Sequence, residues 1–113
     1  MASLTPDAEG LLGALRTFGF TQADVAAATG ADVRSVRNWQ RGRTPSSTNE
    51  DRLRELHYLA SELADTFDPP GPAQWMRAPN RTLRGRKPID VLRDGEYEQA
   101  LGAVNAYLDG TYI

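Results

Sequence analysis

The chain has 113 residues, 40% of them hydrophobic, a formal net charge of -2 and no cysteine. That length supports one domain or two small ones around a modest core. Without cysteine there is no disulfide framework, thiolate nucleophile or cysteine zinc site, and no run of about 18 apolar residues exists to span a bilayer as a helix. The N-terminus MASLTPDAEG lacks the basic and apolar regions of a signal peptide, so a cytoplasmic, mostly helical protein is expected.

Gly10 and Gly13 precede an ordinary helical pattern and do not form a glycine-rich phosphate loop. From Phe20 to Pro45 the sequence reads as two short helices joined by a glycine turn. Thr21 caps the first, which carries the small inward residues Val25, Ala26 and Ala28. Gly30 makes the turn, and Asp32 caps a second helix that runs to about Arg41 and stops at Gly42, with Pro45 beyond it. This is the pattern of a helix-turn-helix.

On the second helix, a step of about 100° per residue places Val33, Val36, Trp39 and Gln40 on one side and Arg34, Arg37, Asn38 and Arg41 on the other. Arginine binds guanine O6 and N7 with two hydrogen bonds, and asparagine does the same to adenine. Arg34, Arg37 and Asn38 are therefore expected to read bases, with Ser35, Arg41 and Arg43 on phosphates. The competing reading is a solvated arginine face on an ordinary helical hairpin. Trp39, like Trp75 further along, is expected to be a core anchor and not a base-stacking platform.

Thr44 to Thr48 reads as a connecting loop, and a longer helix is expected from about Asn49 to Phe67. Leu53, Leu56, Ala60, Leu63 and Phe67 recur at spacings of three and four and form its apolar stripe. Asp68-Pro69-Pro70-Gly71-Pro72 ends it. The third part reads as short helices: about Pro72 to Met76, then a break at Ala78-Pro79-Asn80, then Ile89 to Arg93 with Pro88 at the first position. After Asp94-Gly95, the residues Tyr97, Ala100, Leu101, Val104, Tyr107 and Leu108 mark a final helix ending before Gly110.

Charge is arranged in blocks, so a basic surface coexists with an acidic whole. Arg77, Arg81, Arg84, Arg86, Lys87 and Arg93 face a single acid, Asp90, within residues 72–93, whereas the flanking segments are acidic. Such a block suits a partner with an acidic rim, with Tyr107, Tyr112 and Ile113 as apolar anchors. Alternatively it is a solvated surface that pairs with Glu50, Asp51, Glu55 and Glu62 of the long helix. His57 is the sole histidine and has no nucleophile or ligand spacing around it. Asp94, Glu96 and Glu98 sit at a helix start, where the macrodipole favours negative charge. No catalytic residue, metal or cofactor is expected.

Trp75-Met76, Pro79-Asn80-Arg81, Leu83, Gly85, Lys87-Pro88, Asp90, Leu92 and Gly95-Glu96-Tyr97 resemble the toxin-binding domain of the Xre/MbcA/ParS antitoxins. With the helix-turn-helix before it, the resemblance covers roughly residues 9–113 and is strongest to the MbcA branch, through RKPIDVLRDGEYEQAL. It implies an all-α protein with an N-terminal Xre-like helix-turn-helix (residues 1–48), a long connecting helix and Pro-rich break (49–71) and a small helical toxin-binding domain with its tail (72–113). It implies an antitoxin that neutralises a RES-domain toxin, an enzyme that degrades NAD by phosphorolysis or hydrolysis. It further implies a homodimer within a larger toxin-antitoxin hetero-oligomer, binding to operator DNA of its own promoter, and occlusion of the toxin's NAD pocket by the C-terminal segment. On the residues, Arg77, Arg81, Arg84, Arg86 and Lys87 with Tyr107, Tyr112 and Ile113 are the expected toxin-binding set. Two other readings of the same chain are a plain dimeric transcriptional regulator and an interaction subunit whose helix-turn-helix has become a dimerisation surface.

Overall fold

The computed structural model describes residues 7–110 and is all-helical, with seven α-helices, one 3-10 turn and no strand among the described residues. Helix α1 (Ala8–Thr17) starts at Asp7, whose carboxylate accepts from the Gly10 amide, and buries Leu11, Leu12 and Leu15. A turn through Gly19 leads to α2 (Gln22–Thr29). Gly19 has φ +99°, and a Cβ there would lie 2.7 Å from the Pro70 Cβ, so only glycine lets the two segments approach.

Helix α2 opens on a complete capping box. The Thr21 hydroxyl accepts from the Asp24 amide at 3.1 Å, and the Asp24 carboxylate accepts from the Thr21 amide at 2.8 Å. Gly30, at φ +79°, ends the helix in the left-handed conformation. Asp32 then caps α3 (Val33–Gln40) through the Ser35 amide at 2.7 Å, and α3 buries Val36 and Trp39. The caps, turn and small residues expected at these positions are all present.

The long helix departs from expectation at both ends. Helix α4 (Ser47–Ala64) begins inside the expected loop because Ser46 provides an N-cap, its hydroxyl accepting from the Asn49 amide at 3.2 Å. It ends before Phe67, which follows the turn after the helix and is half-buried. Four members of the expected stripe, Leu53, Leu56, Ala60 and Leu63, are fully buried together with Leu59, whereas the fifth, Phe67, falls outside the helix.

Helix α5 (Gly71–Arg77) runs one residue beyond the expected turn at each end, with Pro72 in its first turn where no amide donor is needed. The break after it is an organised turn, not a simple interruption. Asn80 is only 4% exposed and its side chain caps a 3-10 turn (Arg81–Leu83) through the Thr82 amide at 2.9 Å. The Asn80 amide donates to the Arg86 carbonyl while its own carbonyl accepts from Leu83 and Gly85, closing the loop on itself. Helices α6 (Pro88–Arg93) and α7 (Tyr97–Leu108) complete the fold.

One hydrophobic cluster runs from Leu11 of α1 to Val104 of α7. Helix α4 is its axis, packed by α1, α2, α5, α6 and α7, and α2 lies directly against α6. The N-terminal helices α1 to α3 and the C-terminal helices α5 to α7 thus share one core. Burial of a leucine side chain contributes about 1.5–3 kcal/mol, so the four buried leucines of α4 contribute to the stability of every layer at once.

Candidate functional site

Two surfaces gather the residues singled out by sequence. The first is α3. Arg34 and Arg37 are exposed on it, and Arg41 and Arg43 are exposed just after it, whereas Ser35 and Asn38 are half-buried. Ser35 is engaged by Asp32, and hydrogen bonds from Ser35 hold the Asp32 carboxyl below its ordinary value. Asn38 accepts from the Arg41 and Arg43 amides through its backbone carbonyl, so it also ends the helix. No acid among the described residues forms an ion pair with Arg34, Arg37, Arg41 or Arg43. Two exposed guanidiniums on α3 and two just beyond it, none in an ion pair among the described residues, make a surface that favours an anionic partner.

Gln40 is half-buried on the side of α3 where the 100° step places it, away from the exposed arginines. Its carbonyl oxygen accepts from the Gln22 side-chain amide at 2.7 Å, and the Gln22 oxygen accepts from Arg37 Nε at 3.3 Å. Gln22 and Gln40 line a cavity of about 410 Å³ with Leu12, Arg16, Phe20, Thr21, Val25 and Val36, between α1, α2 and α3. Neither glutamine is singled out by sequence reasoning, because residues 18 positions apart on different helices leave no local periodic signal.

The second surface is the basic block, where three cations find partners other than the acids of α4. On α4 itself, Arg52 and Arg54 bond Glu55 and Glu50 of their own helix. Arg77 instead reaches Asp24 of the α2 capping box at 3.4 Å. Arg86 bonds both oxygens of Glu96, at 2.8 and 3.3 Å, and the Gln99 side-chain oxygen at 3.0 Å. These bonds raise the Arg86 pKa and lower that of Glu96. Glu96 is therefore an ion-pair partner and not a cap: no side-chain cap bond forms at α7. Arg93 pairs with Asp90 and Asp94.

Arg81, Arg84 and Lys87 remain exposed on the turn between α5 and α6, with Arg84 in the left-handed conformation at φ +58°. Arg84, Arg86, Glu96 and Gln99 line an open cavity of about 630 Å³ with Thr82 and Leu83. Within the expected toxin-binding set, Arg77 and Arg86 are engaged with acids of the chain itself, and Arg84 and Lys87 are exposed cations of the turn.

The expected anchor Tyr107 is half-buried. Its ring stacks on Phe67 with centroids 5.6 Å apart and meets Trp75 at 5.8 Å, closing an aromatic cluster between the end of α4, α5 and α7. Trp39 is a buried core anchor as expected, whereas Trp75 is half-buried at the edge. Tyr112 and Ile113, the other two expected anchors, lie outside the described residues. His57 is half-buried against the Phe18 ring, and burial first, then Arg54, lowers its pKa. Among the described residues no group of His, Asp and Glu side chains is placed to hold a metal ion, and no helix is long and apolar enough to cross a membrane.

Two short N-terminal helices with an arginine face, joined through one core to a helical module with a basic turn, define an all-α protein with two charged surfaces. A family model of the antitoxin Xre/MbcA/ParS C-terminal toxin-binding domain matches residues 62–112, beginning inside α4. The chain is 38% identical over 107 residues to a probable mycobacterial cidal antitoxin of Mycobacterium tuberculosis, covering 95% of this chain and 92% of the relative. It is 38% identical over 102 residues to the mycobacterial cidal antitoxin MbcA of Mycobacterium bovis, covering 89% and 90%. A chain in the crystal structure of the M. tuberculosis MbcT-MbcA toxin-antitoxin complex superposes with a TM-score of 0.79 at 37% identity, covering 94% of this chain and 96% of that one. The chain belongs to the Xre/MbcA/ParS antitoxin family, in its MbcA branch.

Proposed function

We propose that this chain is an antitoxin that neutralises a RES-domain, NAD-degrading toxin by binding it directly and occluding its active site. The observation that carries the proposal is the likeness, across 94% of the chain, to a protein solved in a toxin-antitoxin complex. The exposed cations Arg84 and Lys87 supply contacts to an acidic rim, and the segment from Tyr107 onward supplies the occluding element. Occlusion needs no catalytic group in the antitoxin, since it works by filling volume.

The same protein represses its own operon as a homodimer in the cytoplasm, through Arg34, Arg37 and Asn38 on base edges and Ser35, Arg41 and Arg43 on phosphates. The unpaired arginine face supports this, and two copies of α3 set one turn of DNA apart would offset the weak, salt-dependent binding of one. Expression of the adjacent open reading frame, alone and with this chain, tests the toxin half. Growth arrest that this chain relieves is the expected result, and relief without a physical complex contradicts direct neutralisation. A chain that binds upstream DNA but neither binds nor protects against the neighbouring product is instead a plain dimeric regulator.

A further inference from the structure

The helix-turn-helix contains a hydrogen-bonded relay that the arginine face alone does not explain. Gln22 is the first residue of α2, and it spans from Gln40 at the end of α3 to Arg37 in the middle of α3. The direction of the relay is dictated by chemistry. Arginine has only donors, so the Gln22 oxygen must face Arg37 and its amino group must face away. That amino group meets the oxygen of Gln40 at 2.7 Å. Both glutamines are half-buried, and their amides are thereby fixed while Arg37 stays exposed.

The consequence falls on the Arg37 guanidinium. Its Nε is engaged by Gln22, which leaves the two terminal nitrogens as the pair of donors facing outward. Arg34 is also exposed and makes no side-chain hydrogen bond of this kind among the described residues, its charge acting instead on the Asp32 carboxylate. The two arginines of α3 are therefore not equivalent. Resting on the DNA-binding reading above, we propose that Gln22 is a positioning residue that aims Arg37 end-on at a guanine, with Gln40 holding Gln22 in register, so that Arg37 and not Arg34 is the main base reader.

The test uses the full chain and duplexes that the wild-type protein selects from a randomised library, followed by competition with duplexes changed at single base pairs. One position should show a preference for guanine on the order of tenfold, the range a bidentate arginine provides. Arg37→Ala should erase that preference. Gln22→Met, which keeps the length and helix propensity of the side chain, should shrink it several-fold at that position alone and leave the salt slope unchanged. Gln40→Leu, a second variant, should shrink the same preference to a smaller extent. The double variant Gln22→Met with Arg37→Ala should be no worse than Arg37→Ala.

Full guanine preference in Gln22→Met, with loss in Arg37→Ala, would overturn the positioning role while leaving DNA reading intact. If Arg37→Ala changes no preference, or the wild-type protein selects no sequence, the DNA-binding reading fails and the positioning role falls with it.

Discussion

Asp24 holds three groups with one carboxylate and its own amide. It closes the α2 capping box with Thr21 and forms an ion pair with Arg77 of α5, while only 8% exposed. Loss of an N-terminal cap costs about 0.5–2 kcal/mol, and the partly exposed ion pair with Arg77 adds little to that in water. Asp24→Ala is expected to destabilise the fold by about 1–2 kcal/mol. Arg77→Ala is expected to cost well under half as much, and urea denaturation of both variants checks the order. The converse order would mean that the ion pair, not the cap, holds α2 in place.

His57 gives a pH dependence with a defined sign. Burial lowers its pKa below the ordinary 6.5, so on acidification the unfolded chain takes up the proton first. Its contribution is complete above 6.5 and declines as pH falls through the depressed folded value. The wild-type protein should therefore lose stability relative to His57→Gln as pH drops below 6.5, measured as the difference in urea midpoints. A constant difference across that window contradicts the assignment.

Among the elements, α2 and α3 are the most legible from sequence, because their signals are local. Thr21, Gly30 and Asp32 act within three or four residues of themselves, and each sits where its chemistry requires. The start of α4 is less legible: Ser46 and Ser47 follow Pro45 in a run of turn residues, and choosing the cap depends on how Pro45 packs, which is buried. The turn at Asn80 has no periodic signature at all, since it is held by hydrogen bonds to backbone up to Arg86. Gly30 tests the element scale. Its φ of +79° costs other residues about 1–2 kcal/mol, and an added Cβ meets only ordinary contact with Arg93. Gly30→Ala should lower the melting temperature by several degrees, and an unchanged value would show that the turn relaxes freely.

At the scale of the whole molecule, the sequence divides the chain at about residues 48 and 71, whereas the core passes through both points. The contacts responsible lie far apart in the sequence. Helix α2 packs on α6, and Asp24 meets Arg77, so neither partner carries a local sign of the other. The candidate site is legible to the same degree: the arginine face of α3 is visible in a 100° step, but the relay through Gln22 and the pairing of Arg86 with Glu96 depend on tertiary placement. A fragment ending at residue 71 would expose the α6-facing side of α2 and the α7-facing side of α4. It should unfold broadly, without a cooperative transition, and a sharp melt near that of the full chain would show an independent N-terminal unit.

Tyr107 requires the tail to be tested with care, because removing it also opens the cluster with Phe67 and Trp75. Deleting residues 111–113 separates the two effects. That deletion should weaken inhibition of the partner toxin while Tyr107 stays in its cluster with Phe67 and Trp75, whereas deletion from Tyr107 onward should lower both inhibition and melting temperature. Full inhibition by the shorter deletion places the occluding element elsewhere in the chain.

If this antitoxin acts as proposed, by occupying an NAD-consuming partner, the purified product of the adjacent open reading frame will consume NAD until titrated with this chain. Turnover should fall to nothing at a fixed stoichiometry, together with formation of a stable complex by size-exclusion chromatography. Undiminished NAD consumption in the presence of excess antitoxin, or a partner that never consumes NAD, contradicts the proposal.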